Sequence, residues 1–141
     1  MTTIARRIEL LGRVPLFSGV AKGTLRSIAG LGREIVHGPG LTIVQEGATA
    51  HALHVIVEGE AIVRIGGRAM GRLRPGDFFG EIAVLDKGTR SATVSAETRV
   101  VTLAIEGTAL RHLVESDGKL AHHLLVHLAG KVRELDRQLL H

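Results

Sequence analysis

Short apolar segments separated by glycine turns run through residues 33–105, and they constrain the fold more than any other feature of the chain. Segments at 34–37, 41–44, 53–57, 61–65, 69–73, 94–96 and 99–105 are rich in aliphatic and β-branched residues, which favour strands. The breaks include Gly-Pro-Gly at 38–40, Gly-Gly at 66–67 and Arg-Pro-Gly-Asp at 74–77, all of them turn signals. Many short strands at regular spacing are typical of a sandwich or jelly roll.

Helical patterns flank this region on both sides. Residues 3–11 are predicted to form a short amphipathic helix that Pro15 ends, and a second short helix opens at Ser18 or Gly19. Residues 108–114 and 119–140 are predicted to be helical again. We therefore predict one α+β, mainly β domain over residues 1–141: N-terminal helices at 1–32, a jelly-roll-like β-roll at 33–106, and C-terminal helices at 107–141 that include one long helix.

Composition narrows the class of protein. The chain has 141 residues, the size of one domain, with 45% hydrophobic residues and only three phenylalanines as aromatics, so its core must be aliphatic. It has no cysteine, which excludes disulfides and thiolate chemistry. The sequence contains no apolar run of membrane-spanning length and no apolar signal core. We expect a cytoplasmic protein with no membrane partner.

The charge is basic but dispersed. The formal net charge is +4, and no block of basic residues indicates a nucleic-acid surface. A modest cluster comprises Arg64, Arg68, Arg72 and Arg74. This cluster is interpreted as the solvated face of a hairpin or, alternatively, as a positive field that steers an anionic ligand.

The stretch from Phe79 to Val94 carries the chemistry. Gly80 has no Cβ, so a ligand can approach its backbone, and the following residues can form one helical turn whose first N–H groups attract phosphate. Arg90 can pair two phosphate oxygens in a planar fork. Glu81 suits a sugar hydroxyl, and Ser91 can add a hydrogen bond to the phosphate. A surface ion pair between Glu81 and Arg90 is the simpler alternative.

The same stretch resembles a family signature. Phe79-Gly80-Glu81-Ile82-Ala83-Val84, followed after a short loop by Arg90-Ser91-Ala92-Thr93-Val94, resembles the phosphate-binding cassette of cyclic-nucleotide-binding domains. This is the family of catabolite activator protein and the regulatory subunit of protein kinase A. Every defining position of the cassette matches, and the resemblance extends over nearly the whole chain.

The resemblance implies a regulatory module that binds cAMP or cGMP, with cAMP favoured, and that is not an enzyme and needs no cofactor. An effector protein of unknown identity is also implied. In the family the long C-terminal helix covers the bound base, and because this chain lacks Trp and Tyr, the base lid would be formed by Arg133 or Leu135. The ligand-binding residues it implies are Phe79, Gly80, Glu81, Ile82, Ala83, Arg90, Ser91 and Ala92.

The long C-terminal helix has a second possible role. Its apolar residues alternate four and three apart, as in a coiled coil, at Ala121, Leu125, Leu128, Val132, Leu135 and Leu139. This stripe either packs on the β-roll of its own chain or joins two copies in a homodimer. The family's DNA-reading segment follows this helix, and the sequence stops at His141, so we expect no DNA binding by this chain alone.

Two other functions are weighed. An orphan domain of the same fold that acts in protein interaction without binding nucleotide is the main alternative. A metal site is the other, because His51, His54 and Glu58 resemble part of a cupin motif and His123 and His127 lie four apart on a helix. The second cupin motif is missing, and ligand count is the decisive test for a metal, so no metal is expected.

Overall fold

Eight strands form two four-stranded antiparallel sheets in the computed structural model, which describes residues 3–140. One sheet has the order β1-β8-β3-β6 and the other the order β2-β7-β4-β5. This arrangement confirms the predicted mainly β, jelly-roll-like fold. Residues 1, 2 and 141 of the predicted domain lie outside the described residues. The strands are β1 (Arg33–His37), β2 (Thr42–Val44), β3 (Ala52–Glu58), β4 (Ala61–Ile65), β5 (Arg68–Leu73), β6 (Phe78–Phe79), β7 (Thr93–Ala96) and β8 (Val100–Glu106).

Five helices accompany the sheets within residues 3–140. They are α1 (Ile4–Gly12), α2 (Lys22–Leu31), α3 (Glu81–Leu85), α4 (Gly107–Ser116) and α5 (Gly118–Leu140). Helix α2 begins at Lys22, so the predicted start at Ser18 or Gly19 is wrong. The reason is a 3₁₀ turn at Pro15–Phe17, whose carbonyls accept from the Ser18 and Val20 N–H groups at 3.2 Å each. No helix in this range has the length and apolar character needed to cross a membrane.

Strand β8 lies between β1 and β3, and its alternating residues face two different cores. Leu103 and Ile105 face the core between the sheet and the helices, where Phe17 is fully buried. Val100 faces a second, smaller core inside the roll, which also holds Phe79 and Val94. Both faces of β8 are therefore covered, which explains its nearly continuous apolar sequence. Phe79 connects the interior of the roll to the cassette.

Helix α5 packs on its own chain through a different face from the predicted stripe. Leu120 and Leu124 are buried, and the His123 ring lies 3.0 Å from the Leu16 carbonyl oxygen. By contrast, most of the four-three stripe is exposed, including Leu125, Val132, Leu135 and Leu139. The interpretation that this stripe packs on the β-roll is therefore wrong. A homodimer through α5 stays a prediction.

Candidate functional site

A cavity of about 620 Å³ lies between the roll, α3 and α5. Its volume falls within the range of small-molecule sites, about 300–1,000 Å³. The structure brings all of the predicted ligand-binding residues to its wall, namely Phe79, Gly80, Glu81, Ile82, Ala83, Arg90, Ser91 and Ala92. The cassette therefore borders a cavity large enough for a small molecule and does not lie flat on the surface.

Gly80 allows the two ends of the cassette to meet. It precedes α3 with a φ of 90°, in the left-handed region that favours glycine. A Cβ at this position would lie 2.1 Å from Arg90 Nη1 and 3.2 Å from the Ala52 carbonyl oxygen. The guanidinium group thus lies directly against the Gly80 backbone. Any side chain at position 80 would occupy the space that this group fills.

Arg90 is held by backbone groups on several sides. Its Nη2 donates to the Ala52 carbonyl at 2.7 Å and its Nη1 to the Gly80 carbonyl at 3.4 Å. Its own N–H donates to the Ala48 carbonyl at 2.8 Å, and its carbonyl accepts from Gly47 N–H at 2.9 Å. Burial lowers the pKa of Arg90 and the Glu81 charge opposes this shift, but an arginine remains protonated at neutral pH. A fixed cation therefore faces the cavity.

The residues around Arg90 pair with a loop before they enter the sheet. Strand β7 begins only at Thr93, so Arg90, Ser91 and Ala92 precede it. The bridge between Thr49 and Thr89, together with the two backbone bonds of Arg90, ties this part of the cassette to residues 47–49. Ser91 is consequently exposed at the cavity rather than fixed in a ladder.

Glu81 is buried, with only 1% of its side chain exposed, and α5 supplies its partners. Its Oε1 accepts from Lys131 Nζ and lies 3.0 Å from His127 Nε2. Burial raises the pKa of Glu81, but the hydrogen bond and charge of Lys131, the backbone N–H of Glu81 itself and the bond to His127 outweigh it and lower the pKa overall. Glu81 is therefore an ionised acceptor. The surface ion-pair interpretation of Glu81 and Arg90 is wrong, because both are buried and hydrogen-bonded to other groups.

The residues that α5 brings to the cavity are His127 and Lys131, and not the predicted lid residues. Arg133 is exposed and lies two positions beyond Lys131, which is more than half a helical turn around the axis. Leu135 lies one helical turn beyond Lys131 and is 57% exposed. The spacing of Leu120, Leu124, His127 and Lys131 marks the inward face. That spacing is the signal that sequence reasoning missed.

A cluster of polar side chains, most of them buried, packs against the Phe79 ring. The Phe79 ring stacks on His54 with centroids 5.1 Å apart and planes at 6°. His54 Nδ1 and His37 Nε2 each lie 3.2 Å from the Thr102 hydroxyl oxygen. Burial, followed by the charges of Arg90 and other nearby cations, lowers the pKa of His54 to about 4. His54 is therefore a neutral structural residue at physiological pH.

The metal interpretations receive no support from this geometry. His54 is engaged by Thr102 and Phe79, and Glu58 lies 3.4 Å from Arg99 Nη1. His123 contacts a backbone carbonyl, whereas His127 contacts Glu81. Among the residues that the structure describes, no three His, Cys, Asp or Glu side chains are grouped to hold a metal.

His54 makes the stability of the fold dependent on pH. The unfolded state takes up a proton near the ordinary histidine pKa of about 6.5, while the folded state takes it up only near 4. The stabilisation is full above the unfolded pKa and falls as the pH is lowered towards the folded one. We expect the free energy of unfolding, measured in urea, to fall by about 2 kcal/mol from about pH 7 to about pH 5 on account of His54.

A non-titrating variant isolates this contribution. His54→Gln should remove most of the dependence, whereas His122→Gln, at an exposed position on α5, should retain it. The same pH slope in wild type and His54→Gln would contradict the assignment to His54.

Comparison with known proteins agrees with this arrangement. The family model for the cyclic nucleotide-binding domain matches residues 34–117. A cGMP-dependent protein kinase of Toxoplasma gondii is 43% identical over 86 residues, which cover 61% of this chain and 8% of the kinase. A CRP-like cAMP-activated global transcriptional regulator of Mycobacterium tuberculosis is 28% identical over 138 residues, covering 93% of this chain and 61% of the regulator.

A solved structure is also similar to this chain. The crystal structure of Thermus thermophilus catabolite activator protein superposes with a TM-score of 0.80 at 30% identity, covering 89% of this chain and 61% of that one. The chain thus spans less than two thirds of the length of each of these three proteins. Because the family model matches more than half of the chain and the cassette residues meet at one cavity, the chain belongs to the cyclic nucleotide-binding domain family.

Proposed function

We propose that this chain binds a cyclic nucleotide in the cassette cavity and acts as a ligand-sensing regulatory module, not as an enzyme. The observation that carries the proposal is the convergence of a buried guanidinium, Arg90, and a buried carboxylate, Glu81, on one cavity of about 620 Å³. A cyclic nucleotide carries both complementary groups, an anionic phosphodiester and a free 2′-hydroxyl on its ribose.

Each part of the ligand has a matching part of the cavity. The phosphodiester has one negative charge and two exocyclic oxygens, which suit the planar fork of Arg90 and the first-turn N–H groups of α3. The ribose 2′-hydroxyl donates to the ionised Glu81. The base has an apolar wall on the roll that includes Val44, Val63, Ile65 and Leu73.

We propose cAMP over cGMP as the ligand. The relative named as cAMP-activated aligns along 93% of this chain, whereas the cGMP-dependent kinase aligns along 61% at higher identity. Ser91 is the residue at which the family can favour guanine, and here it is exposed at the cavity. The cGMP titration is therefore the essential comparison.

The effect of nucleotide binding would be transmitted through α4 and α5, the two helices that follow the roll. Arg111 of α4 donates from Nη1 to the Val84 carbonyl at 2.9 Å, at the end of α3. Lys131 of α5 bonds to Glu81 at its start. Both C-terminal helices therefore contact the short helix that a nucleotide would touch, and an effector of unknown identity would read their positions.

The pairing of Glu81 with the 2′-hydroxyl can be tested by a double change. We expect Glu81→Ala to weaken cAMP binding by roughly 1–3 kcal/mol, because a charge-assisted hydrogen bond is lost. Replacing cAMP with 2′-deoxy-cAMP should cost wild type a similar amount and cost the Glu81→Ala variant little. Affinities are measured by calorimetry, with Glu115→Ala as a control at an exposed carboxylate of α4. If the 2′-hydroxyl contributed equally in both proteins, Glu81 would not be its partner.

A second candidate is an interaction domain of the same fold that binds no nucleotide. The specific observation in its favour is the exposed apolar stripe of α5, where Leu125, Val132 and Leu135 are each more than half exposed. Titration with cAMP and cGMP separates the two candidates, because only the first predicts saturable binding.

A further inference from the structure

One carboxylate oxygen of Glu81, Oε1, is already occupied by side chains of the chain itself. An ionised carboxylate offers about four acceptor sites. Lys131 Nζ and His127 Nε2 both meet Oε1. A sugar hydroxyl that donates to Oε1 therefore competes with these two side chains of α5.

The two partners differ from Glu81 in their access to water. Glu81 is 1% exposed, whereas the side chains of Lys131 and His127 are 47% and 32% exposed. Lys131 can leave and be hydrated at modest cost, but a buried carboxylate cannot remain without a partner. Exchange of Lys131 for a ligand hydroxyl keeps Glu81 bonded throughout.

The position of Lys131 on α5 gives this exchange a mechanical consequence. The first half of α5 is anchored by buried Leu120 and Leu124 and by His123 on the Leu16 carbonyl. Residues 129–139 are all exposed. Within residues 3–140, the Lys131 bond to Glu81 is therefore the last hydrogen bond or ion pair that joins α5 to the rest of the domain.

We propose that Lys131, supported by His127, forms an autoinhibitory latch on Glu81, which the 2′-hydroxyl of an incoming nucleotide must displace. The inference rests on the proposed nucleotide function and deepens it. The latch lowers the affinity for a ribose-containing ligand and links occupancy of the cavity to the outer half of α5.

The direction in which cAMP affinity changes when Lys131 is replaced distinguishes a latch from a lysine that binds the ligand. A lysine that binds the nucleotide strengthens binding, whereas a latch weakens it. We expect Lys131→Met to bind cAMP about three- to tenfold more tightly than wild type, the scale of one hydrogen bond lost from the competing state. Binding of 2′-deoxy-cAMP, which does not need Glu81, should be nearly unchanged.

The matched control is Arg133→Met, which removes a cation from an exposed position two residues away on the same helix. It should leave both affinities at the wild-type value. Equal tightening in Arg133→Met would attribute the effect to the net charge of α5 and overturn the latch.

A ligand-independent measurement tests the same contact. Without nucleotide, amide hydrogen exchange over residues 129–139 should be faster in Lys131→Met than in wild type or Arg133→Met. Unchanged exchange in Lys131→Met would show that Lys131 does not hold the helix, and would overturn the latch.

The outcomes for the two proposals are distinct. Equal or weaker cAMP binding by Lys131→Met, in a protein whose wild type binds cAMP, would overturn the latch and leave the proposed function intact. Absence of cAMP and cGMP binding by wild type and Lys131→Met alike would overturn the proposed function, and the latch with it. Binding by Lys131→Met alone would support the latch most strongly.

Discussion

Replacing Arg90 with lysine is expected to weaken cAMP binding by about tenfold or more, which corresponds to about 1.4 kcal/mol for each factor of ten. A lysine keeps the charge but loses the planar fork that meets two phosphate oxygens at once. It also cannot reproduce both bonds that Arg90 makes to the Ala52 and Gly80 carbonyls. We therefore expect a modest loss of stability beside the larger loss of affinity.

Reversing the charge at Arg90 would disturb the fold as well as the site. Arg90→Glu would place a second carboxylate in a buried position near Glu81, so this variant should unfold more easily as well as fail to bind. Arg90→Lys, with Arg68→Lys as a control at an exposed position of β5, separates affinity from folding.

The melting temperature with and without nucleotide measures this effect. A ligand that binds only the folded state raises the melting temperature in proportion to its affinity. Wild type and Arg68→Lys should show the same rise with cAMP, and Arg90→Lys a much smaller one. An equal rise in Arg90→Lys would mean that the phosphate is bound elsewhere.

Gly80→Ala is expected to damage both the fold and the site. The left-handed backbone at Gly80, with a φ of 90°, costs an alanine about 1–2 kcal/mol. The added Cβ also meets Arg90 Nη1 at 2.1 Å, and relief of such a clash typically costs a further 1–3 kcal/mol or so. Because the atom that must move belongs to Arg90, we expect nucleotide affinity to fall together with stability.

Gly40 provides the control for backbone strain. Its φ is 82°, and an added Cβ would meet nothing within 4 Å. Gly40→Ala should therefore lose only the stability that the left-handed backbone costs an alanine, and it should bind cAMP with wild-type affinity. Urea unfolding and calorimetry on both variants give the comparison. Equal losses of stability in the two variants, with unchanged affinity, would contradict the close approach of Gly80 and Arg90.

The cassette is predictable from sequence because its requirements are local. The glycine before α3, the carboxylate that starts the helix and the arginine after a short loop lie within eleven residues of one another. The turn geometry at Gly80 and the helix at Glu81–Leu85 follow from those residues and bring the groups together. The strand pattern was informative for a similar reason, since alternation and turns are short-range signals.

The α5 residues at the cavity were not predictable from sequence, because they depend on how α5 is rotated against the roll. The four-three stripe is the longest apolar pattern on the helix, yet Leu125, Val132 and Leu135 are each more than half exposed. The buried face is marked by only two leucines, Leu120 and Leu124. A pattern of two apolar residues is too short to outweigh the longer stripe, so the sequence alone does not predict His127 and Lys131 at the cavity.

The supports of Arg90 were likewise hidden from sequence reasoning. The Ala52 carbonyl that accepts from Nη2 is 38 positions away along the chain. Any residue at position 52 supplies such a carbonyl, so no side-chain signal marks it. The burial of Arg90, and its consequence for Arg90→Glu, emerge only from the tertiary structure.

Calorimetric titration of the wild-type chain with cAMP, and separately with cGMP, tests the central claim most directly. We predict saturable binding of one nucleotide per chain, tighter for cAMP than for cGMP and lost to a large extent in Arg90→Lys. A folded wild-type protein that binds neither nucleotide, or that binds cAMP equally well after Arg90→Lys, would contradict the claim that the cassette cavity is a cyclic-nucleotide site.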